Sequence, residues 1–585
     1  MNMPEGFSRF IVLGAALMAL PVAAQAQERP AVPGQPTPGI QVNRPGQPRD
    51  LGPRTLQAGT AAISGRVTVA ETGLPIRRAQ VRVMAPEARG SRNAMTDAEG
   101  RFTVDKLPAG RYTVMYTKAG FVQSQYGQMR PGQPGKAIEL TEGQKVERVD
   151  AAMVRGSVIS GRVFDEYGEP VVDARVQVMR HRWMNGRRRL ANMGRIAVSN
   201  DRGEFRVWGL PAGEFYVSAV ATDRQMFMDA ATAANDASDS TGYAPTYYPG
   251  TAIAEEAQRV TLAAGQEVGG IDFQLVTTRT VRVSGMALLS DGRPMANANV
   301  MLFARAAIEG GMMSPQGGST DASGGFIIPS VTPGEYVLQA RVNPGGPRRL
   351  DVTETAAMPL NVGGEDVKNV MLVATRGARV SGRVTFDAAV PAGTFENLRV
   401  FFPPADNELM MMGGAGNGQV TAQGTFDVRG VFGKRRAGLG GLPAGWTLKA
   451  VRIGGADVID TGYEFAKEDV TNVEFLVTNR VTSLSGAVNT DKDGPAADYV
   501  VLAFSTDEAA WQQGSRRLGV ARPDQKGTYT FRSLPPGSYY VIALDAMPEE
   551  WGNPEVFERL KPDATRVTLG EGESEALNLT LRLLR

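Results

Sequence analysis

The sequence predicts an all-β chain: a tandem array of about five Greek-key β-sandwich modules behind a signal peptide and a Pro-rich linker. Three observations carry this. A strand motif recurs five times at the spacing of whole domains, a turn motif recurs at the middle of each copy, and apolar residues alternate with period two between the turns. The chain has 585 residues, too many for one core, with 69 glycines and 36 prolines beside an ordinary 42% of hydrophobic residues. Many turns between short packed strands fit that mixture better than disorder does.

In chain order, Arg9 and the apolar run Phe10 to Leu20 read as a secretory signal too short to span a bilayer. Ala24-Gln25-Ala26 supplies the small-x-small pattern for cleavage before Gln27, so 1–26 is the expected signal peptide. Residues 27–60 are rich in proline, glycine and glutamine without hydrophobic period, an extended linker. The chain has no cysteine, hence no disulfide and no lipoprotein anchor, and no later stretch reads as a transmembrane helix. An exported protein is expected, whether periplasmic, outer-surface or secreted.

The opening strand reads Ile63-Ser64-Gly65-Arg66-Val67, Ile159-Ser160-Gly161-Arg162-Val163, Val283-Ser284-Gly285, Val380-Ser381-Gly382-Arg383-Val384 and Leu484-Ser485-Gly486. The serines stand 96, 124, 97 and 104 residues apart, so each copy is one domain. The expected boundaries are 61–155, 156–278 with an insertion, 279–376, a divergent 377–479, and 480–585.

The mid-copy landmark pairs Asp97 to Phe102 with Leu107-Pro108-Ala109-Gly110-Arg111-Tyr112, and Asp201 to Phe205 with Leu210-Pro211-Ala212-Gly213. Asp321 to Phe326 precedes Thr332-Pro333-Gly334-Glu335-Tyr336, and Asp524 to Gly527 precedes Leu534-Pro535-Pro536-Gly537-Ser538-Tyr539. The fourth copy keeps Gly424-Thr425-Phe426 and Leu442-Pro443-Ala444-Gly445 across a longer interval. Asp97, Asp201, Asp321 and Asp524 are expected to accept backbone amides ahead of them, and the glycines to close the turns. Tyr112, Val114 and Tyr116 should share one face, as should Val81 with Val83 and Phe102 with Val104. Helix is expected only after Asn553-Pro554 and between Asp507 and Gln513.

The order Ser-Gly-Arg-Val, then Gly73-Leu74-Pro75 to Ala79-Gln80-Val81, then Asp-x-x-Gly-x-Phe and Leu-Pro-Ala-Gly-x-Tyr resembles the carboxypeptidase regulatory-like domain. That resemblance implies a transthyretin-like (prealbumin-like or carbohydrate-binding-like) sandwich. It covers nearly everything after the linker, and its motifs concern turns and strands, so it implies fold rather than activity. In the namesake peptidases the domain is an appendage to a separate catalytic domain. An adhesin variant of the fold crosslinks a lysine to an asparagine; Arg66, Arg162 and Arg383 occupy those strands here, so no such strut is implied.

Chemistry is sparse. His181 is the sole histidine, read as an exposed loop residue, and no catalytic triad or zinc set can be assembled without more. Gly430 to Lys434 lacks the glycine placement of a phosphate loop, with Arg435 where Ser/Thr belongs. No cofactor and no metal are expected. The methionine clusters Met226-Phe227-Met228, Met312-Met313 and Met410-Met411-Met412 read as adaptable apolar loop tips. With 63 basic against 61 acidic residues, nucleic acid is not an expected partner.

The second copy stands apart. Arg180, Arg182, Trp183, Arg187, Arg188 and Arg189 flank Asn185-Gly186, a strong two-residue hairpin signal, and an insertion ends in Tyr243, Tyr247 and Tyr248. Aromatic faces stack on sugar rings and arginine forks pair with carboxylates, so these nine residues form the candidate ligand patch, with an anionic glycan as ligand. The competing reading is a solvated hairpin beside tyrosines packed in an inter-module joint. The functional expectation is a non-catalytic exported binding or adhesion array at the bacterial cell envelope, with carbohydrate as the candidate ligand. The alternatives are a structural spacer or assembly partner for another envelope protein and, more distantly, a hydrolase accessory protein.

Overall fold

The computed structural model describes residues 58–584 except 86–89, 185–186, 222–240, 306–315, 343–353, 406–415 and positions 444, 491, 493 and 513. The expected signal peptide, nearly all of the expected linker, the expected Asn185-Gly186 turn and the three methionine clusters lie outside the described residues.

In the first sandwich Ala61–Val69 is flanked by Arg101–Leu107, antiparallel, and by the short parallel segments Lys145–Val146 and Ala151–Met153. The facing sheet runs Gly90–Met95, Gln80–Ala85, Gly110–Thr117, Ser124–Gln125, with Ile138–Leu140 also on Gly110–Thr117. Period two holds: Val81, Val83, Phe102, Val104, Tyr112, Val114 and Tyr116 all enter one core. Each such buried side chain stabilises the fold by about 1.5–3 kcal/mol relative to exposure.

The plan recurs four times. The opening strands Ser157–Phe164, Val281–Leu288, Ala378–Phe386 and Ser483–Asn489 pair antiparallel with Glu204–Leu210, Gly325–Val331, Thr425–Val431 and Thr528–Arg532. Each also pairs parallel with a closing segment, and each sandwich has its own hydrophobic cluster.

The serine-glycine motif has a steric cause. A Cβ on Gly65, Gly161, Gly285, Gly382 or Gly486 would collide with the carbonyl oxygen of Val149, Ile271, Val370, Val473 or Leu577. The glycine therefore lets the closing segment cross against the opening strand. Where that segment is broken in two, a side chain replaces the missing ladder bond. The amides of Arg66, Arg162 and Ala487 donate to Asp150 (2.7 Å), Asp272 (2.8 Å) and Asn578 (3.0 Å).

The mid-copy turns close largely as expected. Asp97 accepts from the amides of Glu99 and Arg101, Asp321 from Ser323 and Gly325, and Asp524 from Lys526 and Thr528. Asp201 is a correction: Asn200 accepts the amides of Arg202 and Glu204 instead, one residue earlier. The next turn is locked by tyrosine. The hydroxyls of Tyr112, Tyr336 and Tyr539 donate to the carbonyls of Pro108 (2.7 Å), Thr332 (2.8 Å) and Pro535 (2.6 Å), each four residues back.

The fourth copy also needs correcting. Val431 pairs with Ala378 as Leu107 pairs with Ala61, so Val431-Phe432-Gly433 takes the position expected for Leu442-Pro443-Ala444-Gly445. The segment Gly430 to Lys434 spans two strands and forms no phosphate loop, and Arg435 is buried, donating to Phe432 O at 2.8 Å.

One sheet of the fifth sandwich, Val500–Ser505 with Gly537–Leu544, is covered on both faces. Phe504, Trp511, Ile542 and Phe557 form a second cluster under the helix Pro554–Leu560, capped by Asn553. The expected helix from Asp507 is only the 3-10 turn Glu508–Ala510.

The fifth sandwich also packs back on the first. Lys136 pairs with Asp498 (2.5 Å) and Arg532 with Glu139 (2.5 Å), while the partly buried Arg522 donates to Gly127 O (2.6 Å) and Tyr499 O (2.8 Å). No helix among the described residues is long and apolar enough to cross a membrane.

Candidate binding clefts of the second sandwich

The basic hairpin of the second sandwich is built from Arg175–Met184 and Arg187–Val198, with Arg182 opposite Arg189, Trp183 opposite Arg188 and Met184 opposite Arg187. Beyond a bulge between Gln177 and Met179, the ladder runs without a break from Met179 opposite Asn192 to Met184 opposite Arg187. His181 lies in the first of these strands rather than in a loop, half-buried and edge-on to Tyr216 with ring centroids 5.1 Å apart. Burial, then the charges of Arg188 and Arg259, lower its pKa below the usual histidine value.

The hairpin stands between neighbours, and this divides the nine candidate residues. Arg188, Arg189, Tyr243 and Tyr247 line a cavity of about 570 Å³ between the second and third sandwiches. Sequence reasoning missed Tyr216 and Tyr336, which line it too, together with His181, Gln177, Gln316 and Glu255. Tyr216 follows Phe215 and points the opposite way by strand alternation, a signal available in principle; Tyr336 belongs to the repeated turn motif. The Tyr243 hydroxyl donates to Glu166 at 2.5 Å, and burial and that carboxylate push its pKa up. Burial also raises Tyr247. Both phenols therefore stay neutral on an aromatic wall, with the Tyr243 donor already committed to Glu166.

Arg180 and Arg182 line a different space, a groove of about 1370 Å³ between the first and second sandwiches. Arg180 also pairs with Glu549 of the fifth sandwich (2.9 Å), and Arg188 approaches Glu550 at 3.7 Å. Trp183 and Arg187 line neither space. Tyr248 packs edge-on to Phe273 against the core of the second sandwich, a structural position. Among the described residues no group of three or more His, Cys, Asp or Glu is placed to hold a metal ion.

Residues 62–154 match the carboxypeptidase regulatory-like domain, so the first sandwich carries that family's sequence signature. No curated protein matches the chain. Among solved structures, the TIE protein of Bacillus anthracis is 14% identical, with 54% of this chain and 51% of that chain covered and a TM-score of 0.15. This chain thus spans about half the length of that protein. The ancillary pilin of Streptococcus is 14% identical over 54% of this chain and 98% of its own, with a TM-score of 0.20. Two B repeat units of the collagen-binding protein of Staphylococcus aureus are 10% identical over 72% and 99%, with a TM-score of 0.13.

Proposed function

We propose that this chain is a non-catalytic, exported binding array of the bacterial cell envelope that holds an acidic carbohydrate between its second and third sandwiches. The observation that supports it is the convergence of Arg188, Arg189, Tyr216, Tyr243, Tyr247 and Tyr336 on one cavity. Its size, about 570 Å³, lies within the range of roughly 300–1,000 Å³ typical of small-ligand sites. Tyrosine faces offer stacking surface to a sugar ring, and the two guanidinium groups offer forked donors to a carboxylate or sulfate. The test is a glycan array probed with the full chain. Acidic sugars should be retained, and Tyr247→Ala and Arg188→Ser should each abolish the signal while leaving the melting temperature within a few degrees. Retention that survives both changes would contradict the reading.

A second reading, an assembly partner for another envelope protein, is favoured by one feature of the third sandwich. Met286, Ile327, Met371 and Val373 are 42–57% exposed, with Met286 directly opposite Met371. At the same register the fourth sandwich places Arg383 opposite Glu474, ion-paired at 2.6 Å. An apolar pair where a sibling module carries a charged one is a contact surface in kind. Capture of one envelope protein by the wild-type chain and not by Met286→Arg would support this reading.

A further inference from the structure

We infer that the groove between the first and second sandwiches is a separate site for an extended acidic polysaccharide. This rests on the glycan reading above and names the polymer and the surface that would take it.

The groove is lined by five cations, Arg78, Lys118, Arg180, Arg182 and Arg195, and by no carboxylate among the described residues. In a chain of formal charge +2 such segregation is local, and a surface of one sign raises the concentration of its counter-ion. How the cations are held matters more than their number. Lys118 Nζ donates to the carbonyls of Arg77 (2.9 Å) and Arg78 (3.3 Å). Arg195 lies over the Trp208 ring, 3.5 Å from its centroid, and Arg182 contacts Met193 Sδ at 3.8 Å. Carbonyls, a sulfur and a π face position these groups without neutralising them. Among the described residues, the carboxylate paired with any of the five is Glu549, reaching Arg180 from the fifth sandwich with its side chain 81% exposed. Glu549 thus stands where an anionic group of the ligand would stand.

The remaining lining selects the polymer. Gln80, Asn93 and Gln123 present amides, each with donor and acceptor, the complement of vicinal hydroxyls. Phe121 is the aromatic side chain on the lining, so the stacking platforms that single-stranded nucleic acids use are lacking among the described residues. At about 1370 Å³ the groove exceeds the usual small-ligand range, as an oligomer requires.

The test uses the full chain and a fluorescent decagalacturonate, followed by polarisation at low and moderate salt. The chain should bind it, affinity should fall as salt rises, and the fully methyl-esterified neutral decamer should not bind. Arg78→Asn with Arg182→Ser should weaken binding about tenfold or more and flatten the salt dependence. Glu549→Gln should tighten it several-fold, a gain that no folding defect imitates. Equal binding of the neutral decamer, or of single-stranded DNA of the same charge, would overturn the inference. So would wild-type affinity in the double arginine variant. If Tyr247→Ala alone abolishes binding, the cavity reading stands and the groove falls. If no variant and no wild-type chain binds any acidic sugar, both fall.

Discussion

Arg180 and Glu549, 369 residues apart in the chain, meet at 2.9 Å across the second and fifth sandwiches. A tandem repeat could place its modules in a line with contacts only between neighbours. Here the last sandwich returns to the first two, so the basic hairpin lies beside a surface supplied by the far end of the chain.

Arg522 anchors that return. Its side chain is 6% exposed and its guanidinium donates to Gly127 O and Tyr499 O, so Arg522→Ala leaves acceptors unmatched and removes the bridge. Hydrogen exchange of the segment 124–136 should accelerate at least several-fold in the variant. Unchanged exchange there would mean that the two sandwiches are not docked in solution.

The crossing glycines make a prediction with an internal control. Gly161→Ala drives a methyl group into Ile271 O and should destabilise the second sandwich by about 1–3 kcal/mol, seen as an earlier denaturant midpoint. Gly364→Ala meets nothing within 4 Å and should leave the midpoint in place. Equal effects would remove the steric explanation of the motif.

The tyrosine that locks the turn in the first, third and fifth sandwiches is testable by titration. Tyr539 is buried, and loss of solvation pushes its phenol up to about 12. Tyr539→Phe should delete a late-titrating phenol from the ultraviolet pH profile and cost about 1 kcal/mol of stability. The second sandwich carries Phe215 at this place and does without the bond. A Tyr539→Phe chain with unchanged stability would show that packing alone sets the turn.

His181 gives the pH dependence its sign. Its folded pKa lies below the ordinary value of 6.5, first through burial and then through Arg188 and Arg259. Below pH 6.5 the unfolded chain takes up a proton that the folded site resists, so stability falls as pH drops from there toward the folded midpoint. Well above 6.5 both states are deprotonated and this group contributes no slope. The single histidine resonance should titrate below 6.5, and His181→Gln should flatten melting temperature against pH in that window. A midpoint at or above 6.5 would contradict the burial and charge argument.

Much of the fold was legible because its signals are local. Alternation placed Tyr112, Val114 and Tyr116 on one face, and the turn motif predicted the amide-accepting role of Asp97, Asp321 and Asp524. The errors came where local pattern has more than one solution. Asn200 and Asp201 both suit the turn, and the register with Ser157–Phe164 selects the first. Leu442-Pro443 imitates the motif, but pairing with Ala378 is set eleven residues earlier, at Val431. His181 looked like a loop residue because arginines surround it, yet the hairpin ladder extends through it. The candidate patch was found by composition and then divided by the neighbouring sandwiches, whose placement depends on contacts such as Lys136 with Asp498 that leave no periodic trace.

The most direct test is a crystal structure of the full chain grown with trigalacturonate. The account predicts a sugar ring against Tyr247 in the cavity between the second and third sandwiches, its carboxylate facing Arg188 and Arg189. Saturating ligand with that cavity empty, or ligand bound only away from the second sandwich, would contradict it.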